Sequence, residues 1–123
     1  MNKRKSRQAK VEGSGHGLRV LETLINHLPA MVFYKDLDGV YISANQAFCH
    51  QLGTTPADII GRTDFDFYPR DVAERYRATD LEVINSGSIP EGFEEEITVQ
   101  GKVRVYHSRK LLLSDETGKP YGI

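Results

Sequence analysis

FYKDLDGVYISANQAFCHQLG, residues 33–53, is the stretch whose reading decides the fold. Met31 to Tyr34 is apolar and β-prone, and Asp36-Leu37-Asp38-Gly39 has the composition of a tight turn, because aspartate side chains bond nearby backbone and Gly39 tolerates positive φ. Val40-Tyr41-Ile42 is β-branched or aromatic and reads as the returning strand. Asn45 or Ser43 then caps a short helix over Gln46 to Gly53, with Ala47, Phe48 and Leu52 inward and Gly53 ending it. The unit is therefore strand, turn, strand, helix.

Working outward, Leu18, Leu21, Ile25 and Leu28 recur at helical spacing and predict an amphipathic helix that Pro29 stops. The seven-residue intervals within that stripe suit a parallel helix pair in a dimer, and packing on the chain's own sheet suits it equally. His27 falls where it meets the helix C-terminus. Downstream, Thr55-Pro56-Ala57-Asp58 opens a short helix, and Asp71-Val72-Ala73-Glu74 reads as the cap of the longest one, running to about Asn85. Val72, Ala73, Tyr76, Leu81, Val83 and Ile84 supply its apolar face. Phe93 to Val99 and Lys102 to Ser114 read as strands joined by Gln100-Gly101. On the second, Val103, Val105, His107, Arg109, Leu111 and Leu113 alternate with Arg104, Tyr106, Ser108, Lys110 and Leu112. Glu94 to Glu96 oppose Arg104 to Lys110 in sign, a pairing that would help fix register.

The 33–53 unit, followed by GRTDFDFYP at residues 61–69, a long helix, a Glu-rich strand and a last hairpin, resembles a PAS domain, the sensory module of signalling proteins. The resemblance covers Leu18 to Ile123. It implies an α+β fold, a five-stranded antiparallel sheet with helices on one face and the amphipathic helix at the N-terminus. Residues 1–17, rich in lysine and arginine and then glycine, read as a flexible basic tail. The resemblance also makes the last strand central and longer than Tyr121 to Ile123, so the chain is expected to be a piece of a longer protein, less stable than a longer chain would be.

Composition bounds the function. The 123 residues make one domain, and a lone cysteine, Cys49, rules out an internal disulfide or a cysteine metal cage. No apolar run is long enough to span a membrane, which favours the cytoplasm. Five cationic residues fall among the first ten, leaving 11 basic and 17 acidic residues in the remainder. The acidic body argues against nucleic-acid binding. No phosphate loop, zinc-protease or hydrolase signature is present, and no catalytic role is expected. Cys49 and His50 are adjacent and diverge by about 100° on a helix. Asp64 and Asp66 read as helix caps, with an acid–base pair in a small enzyme as the rival from another class.

What the resemblance implies is signal input within a larger protein: a histidine kinase, a cyclic-dinucleotide enzyme or a regulator. The partners are its own output domain, a second copy in a homodimer, and a small molecule of unknown identity. Haem is not expected, since Asp71 to Asn85 lacks histidine; nor is a flavin adduct, since Gly61 to Phe65 lacks cysteine. Candidate cavity walls are Phe33, Ile42, Phe48, Leu52, Phe65, Tyr76, Ile84, Ile97, Val105 and His107, with Leu18, Leu21, Ile25 and Leu28 at a dimer interface. The alternative is a ligand-free dimerisation module whose interior is filled by its own aromatics.

Overall fold

The computed structural model describes residues 15–99 and 101–123, without the side chains of residues 89, 90 and 97–99. The expectations for the basic tail up to residue 14, for Gln100 and for the Ile97 side chain lie outside what is described.

Helix α1, His16–Asn26, carries the predicted stripe, but buries none of it: Leu18 is 65% exposed, and Leu21, Leu24 and Leu28 are also exposed. Leu28 lies past the helix end, and Ile25 is half-buried. The reading that this stripe packs on the chain's own sheet is thereby corrected. His27 Nδ1 sits 2.7 Å from the Thr23 carbonyl, at the helix C-terminus as expected.

Strands β1, Phe33–Lys35, and β2, Tyr41–Ala44, pair antiparallel. Asp36 builds the turn between them: its Oδ1 accepts from Asp38 N and Val40 N, and Gly39 takes φ 84°, a conformation that any Cβ would strain. Asn45, not Ser43, caps α2, Gln46–Leu52, by accepting from Phe48 N. Thr55 caps α3, Pro56–Ile59, as the sequence indicates. Thr63 and Asp66 close a reciprocal capping box around a 3₁₀ turn, Asp64–Asp66.

Helix α4, Arg70–Ser86, follows Pro69 directly, with no side-chain cap. Asp71 is therefore not the cap expected of it; it sits in the first turn, where the helix dipole favours a negative charge. The buried face is Ala73, Tyr76, Asp80 and Val83. Leu81 points to solvent, and a carboxylate takes the place the apolar reading had assigned to it.

Strand β3, Ile89–Val99, and strand β4, Lys102–Lys110, form the long hairpin, with Glu95 opposite Tyr106 and Ile97 opposite Arg104. β3 begins earlier than predicted, through an irregularity at Gly92. Gly92 has φ 77°, and a Cβ there would lie 2.6 Å from the Ser108 carbonyl, so the hairpin closes only over glycine. No ion pair joins β3 to β4 among the described residues. The cross-strand side-chain bond is Ser108 Oγ to Glu95 Oε2, because the long cations face the interior and the rim while Glu94 and Glu96 point outward.

β4 ends at Lys110, short of the predicted Ser114. Two residues later β5, Leu113–Ser114, pairs with β6, Pro120–Gly122. β6 reaches β1 through an Asp36–Gly122 bridge and reciprocal backbone bonds between Lys35 and Ile123. The class is α+β as expected. The described strands form three antiparallel pairs instead of one continuous five-strand ladder: a single bridge joins β6 to β1, and residues 111 and 112 separate β4 from β5. Tyr41, Ala44, Phe48, Cys49 and Ile59 make the core, with Met31, Phe33, Leu52 and Phe67 packed against it. Burying a side chain such as Ile59 contributes about 1.5–3 kcal/mol.

Candidate functional site: a cavity on a buried charge network

The cavity encloses about 640 Å³. One wall is apolar: Pro29, Ala30, Met31 and Phe33 leading into and along β1, with Ala47 and Phe48 of α2. The opposite wall is β4, from Lys102 to Lys110. Tyr41, Asp64, Tyr68 and Tyr76 form the floor, and Tyr106 Oη donates to Gln51 Oε1 at 3.2 Å, tying β4 to α2 across the opening.

The floor includes a partnered charge network, whose Lys35, Asp64 and Lys110 line the cavity while Asp80 does not. Lys35 Nζ is 2.6 Å from Asp64 Oδ2 and 2.8 Å from Asp80 Oδ2. The other oxygen of Asp80 receives Lys110 Nζ at 2.8 Å, and Tyr41 Oη donates to Asp64 Oδ1. All four ionic side chains are buried, and two lysines balance two aspartates. Buried charges survive only when paired in this way. Lys35 Nζ also lies 5.0 Å from the centroids of both the Phe33 and the Tyr41 rings, an added cation–π attraction. Asp80 thus bridges β1 to β4 from α4 and sets their separation.

The phenols on the floor stay protonated. Burial first, then the charge of Asp64 and its hydrogen bond, push the Tyr41 phenol far above its ordinary value. Burial, then Tyr76, Asp64 and Glu95, raise Tyr68. Tyr76 is pushed up to about 12 by burial first and Glu95 second. A phenol with a raised folded value contributes stability that is present below its unfolded value, near 10, and lost as pH rises through the folded one. The protein is therefore expected to lose stability progressively from about pH 10 upward, with tyrosinate absorbance appearing together with unfolding. Tyr68→Phe is expected to move the alkaline midpoint upward; titration of all tyrosines at their ordinary value in the folded state would contradict this.

Of the ten predicted wall residues, Phe33, Phe48, Tyr76 and His107 line the cavity. Leu52 packs in the core beside it, and Ile84 is half-buried off the cavity. Ile42, Phe65 and Val105 are exposed, Val105 by 61%. For Val105 the reason is the orientation of β4: its Arg104, Tyr106, Ser108 and Lys110 face turns inward, and the valine face turns out. His107 sits at the rim with Nε2 3.1 Å from the Glu91 carbonyl, so that ring nitrogen is committed to backbone. Asp66 is a cap, as read; Asp64 is not, and belongs to the buried network. Both oxygens of Asp64 and of Asp80 are engaged, so the arrangement orders and positions the floor and presents neither as a free base. Burial raises the Cys49 thiol, which lowers its reactivity at neutral pH. Among the described residues no three His, Cys, Asp or Glu side chains converge to hold a metal.

The residues missed from sequence are Lys35, Tyr41, Asp80, Lys110, Tyr68 and Arg104. Asp80 carried a signal: it stands at three-four-three spacing with Ala73, Tyr76 and Val83, on the buried face of α4.

The PAS-fold family profile matches residues 25–123. The chain belongs to the PAS-fold family. This PAS domain is similar to VqmA of Vibrio cholerae, solved as a ligand–DNA complex, with 29% identity and a TM-score of 0.68 over 81% of this chain and 45% of that one. It is also similar to a domain of a sensory box sensor histidine kinase/response regulator from Geobacter sulfurreducens, with 25% identity and a TM-score of 0.57 over 91% and 96% of the two chains. The PAS domain of Bordetella pertussis BvgS shares the fold, with 20% identity and a TM-score of 0.66 over 87% and 81%. The uncharacterized protein y4lL of Sinorhizobium fredii is 36% identical over 90 residues, 72% of this chain but 11% of that protein's length. PAS domains of this kind are signal-sensing modules of kinases and regulators. No helix among the described residues is long and apolar enough to cross a membrane.

Proposed function

We propose that this PAS domain is the signal input of a larger cytoplasmic signalling protein, and that its signal is a small molecule held in the cavity between β1, α2, α4 and β4. The observation that carries this reading is a cavity of about 640 Å³ with one aromatic wall and one polar wall, built on charges already satisfied by one another. Its role is binding, with no chemical step of its own. VqmA, 28% identical to this chain, has been solved bound to DPO, which supports ligand binding in this branch of the fold. Occupancy would pass to an output domain by favouring one arrangement of α1 over another, which needs a ligand with different affinity for the two.

A second reading rests on α1: its exposed Leu18, Leu21, Leu24 and Leu28 form an unburied apolar stripe suited to a second copy of the chain. The two readings are compatible.

The test is mass spectrometry of small molecules released when the purified protein is denatured, preceded by its absorption spectrum. The expected result is a colourless protein that releases one compound at near one-to-one. A haem or flavin band would replace the proposed ligand by a chromophore. A protein that is empty, and that no compound in a metabolite library stabilises against heat, would leave dimerisation as the function.

A further inference from the structure

Resting on the reading that the cavity takes a small molecule, its donors and acceptors indicate which kind. The buried network is closed: Lys35, Lys110, Asp64 and Asp80 satisfy one another, and Tyr41 spends its proton on Asp64. What remains facing the cavity is unequal. Lys102 and Arg104 line it with no ion-pair partner among the described residues, with Arg109 at the rim beside His107, against one carboxylate, Glu95, which already accepts from Ser108. The Tyr68 hydroxyl lines the floor and has no hydrogen-bond partner among the described residues. Its proton stays on, since burial and neighbouring Asp64 and Glu95 raise it. Tyr68 lies within electrostatic range of Glu95 and Tyr106, the cross-strand pair that adjoins Arg104 on the inward face of the hairpin. Spare donors and positive charge therefore gather on the β4 side, while Met31, Phe33, Ala47 and Phe48 make the facing side mainly apolar, with His50 and Gln51 of α2 as its polar members and Gln51 already accepting from Tyr106. Glu94 and Glu96 are exposed and take no part in the cavity lining.

We infer that the cavity binds a small carboxylate, its apolar body against Met31, Phe33 and Phe48 and its anionic head toward Arg104 and Tyr68. An ionised acceptor makes the stronger hydrogen bonds with guanidinium and phenol donors, and a guanidinium takes both carboxylate oxygens at once. A cationic head would meet the excess of positive charge, and a neutral amide would bring donors where donors are already in surplus.

The test compares hexanoate and octanoate with the corresponding amides and amines, by isothermal titration against the purified protein and its Lys102→Gln/Arg104→Gln variant. Both substituted residues are exposed at the rim, so the variant is expected to fold and melt as the parent does. The carboxylates are expected to bind about tenfold or more tighter than their amides, with most of that difference lost in the variant because amide binding falls less than carboxylate binding. Added salt is expected to weaken the carboxylates alone. Amides or amines binding as tightly as carboxylates would overturn the carboxylate inference and leave ligand binding in the cavity standing. Binding of none of the six compounds, with no compound released on denaturation, would overturn both.

Discussion

Replacing Asp80 by alanine is expected to cost about 3–5 kcal/mol, the scale for removing one partner of a buried ion pair. The side chain is fully buried, and its two oxygens receive Lys35 Nζ and Lys110 Nζ, each at 2.8 Å. Its loss leaves Lys110 buried in the cavity lining with no anion, and Lys35 with Asp64 alone. A domain of this size has about 5–15 kcal/mol of stability in total, so the change removes a large share of it. Lys110→Met is the informative contrast. Asp80 then keeps Lys35, and the methionine fills the space, so a smaller loss of about 1–2 kcal/mol is expected. Urea unfolding of the two variants beside the parent reads both values. An Asp80→Ala protein within about 1 kcal/mol of the parent would show that the network does not hold β1 to β4.

Asn45→Ala is expected to cost about 2–4 kcal/mol, the sum of several buried hydrogen bonds at their usual net worth. The Asn45 side chain is buried and makes four of them. Oδ1 accepts from Val32 N at 3.0 Å and Phe48 N at 3.1 Å, and Nδ2 donates to Ile25 O at 3.0 Å and Ala30 O at 2.8 Å. One residue thus caps α2, fixes the approach to β1 and ties the C-terminal end of α1 to the body. Losing it is expected to raise amide hydrogen exchange in the last turn of α1 and in residues 28–32 before it does so elsewhere. Asn45→Asp keeps the cap oxygen, abolishes both donated bonds and buries a charge, so it is expected to be no milder than alanine. Full stability with unchanged exchange in Asn45→Ala would mean that α1 is held by other contacts.

Much of this fold is legible in the local chemistry of the chain. Asp36 and Gly39 specify their turn, and Asn45 and Thr55 their helix starts, because each signal acts over three or four residues; the Thr63 cap and the Pro69 entry to α4 are not legible in the same way, since the aspartates beside them read as the caps. The site was harder to read, because its residues come from elements spread along the whole chain and their meaning depends on which face turns inward. On β4 the valines looked like the interior and the charged alternates like the surface; the buried partner Asp80 reverses that choice by drawing Lys110 in, and Arg104 and Tyr106 follow on the same face. Lys35 shares the period-two face of Phe33, and Asp80 the helical face of Tyr76 and Val83. Each is a charge in an apolar row, a pattern that signals a buried partner without naming it. Opposite charges on two such rows, 45 residues apart, were the available clue.

Native mass spectrometry of the purified protein beside an Ala47→Trp variant tests the central claim most directly. Ala47 lines the cavity, and an indole there would occupy the space opposite β4. The expected result is a parent carrying one extra small-molecule mass per chain and a folded variant without it. The same adduct on both proteins, or on neither while the released-compound analysis is also blank, would contradict the assignment of this cavity as the ligand site.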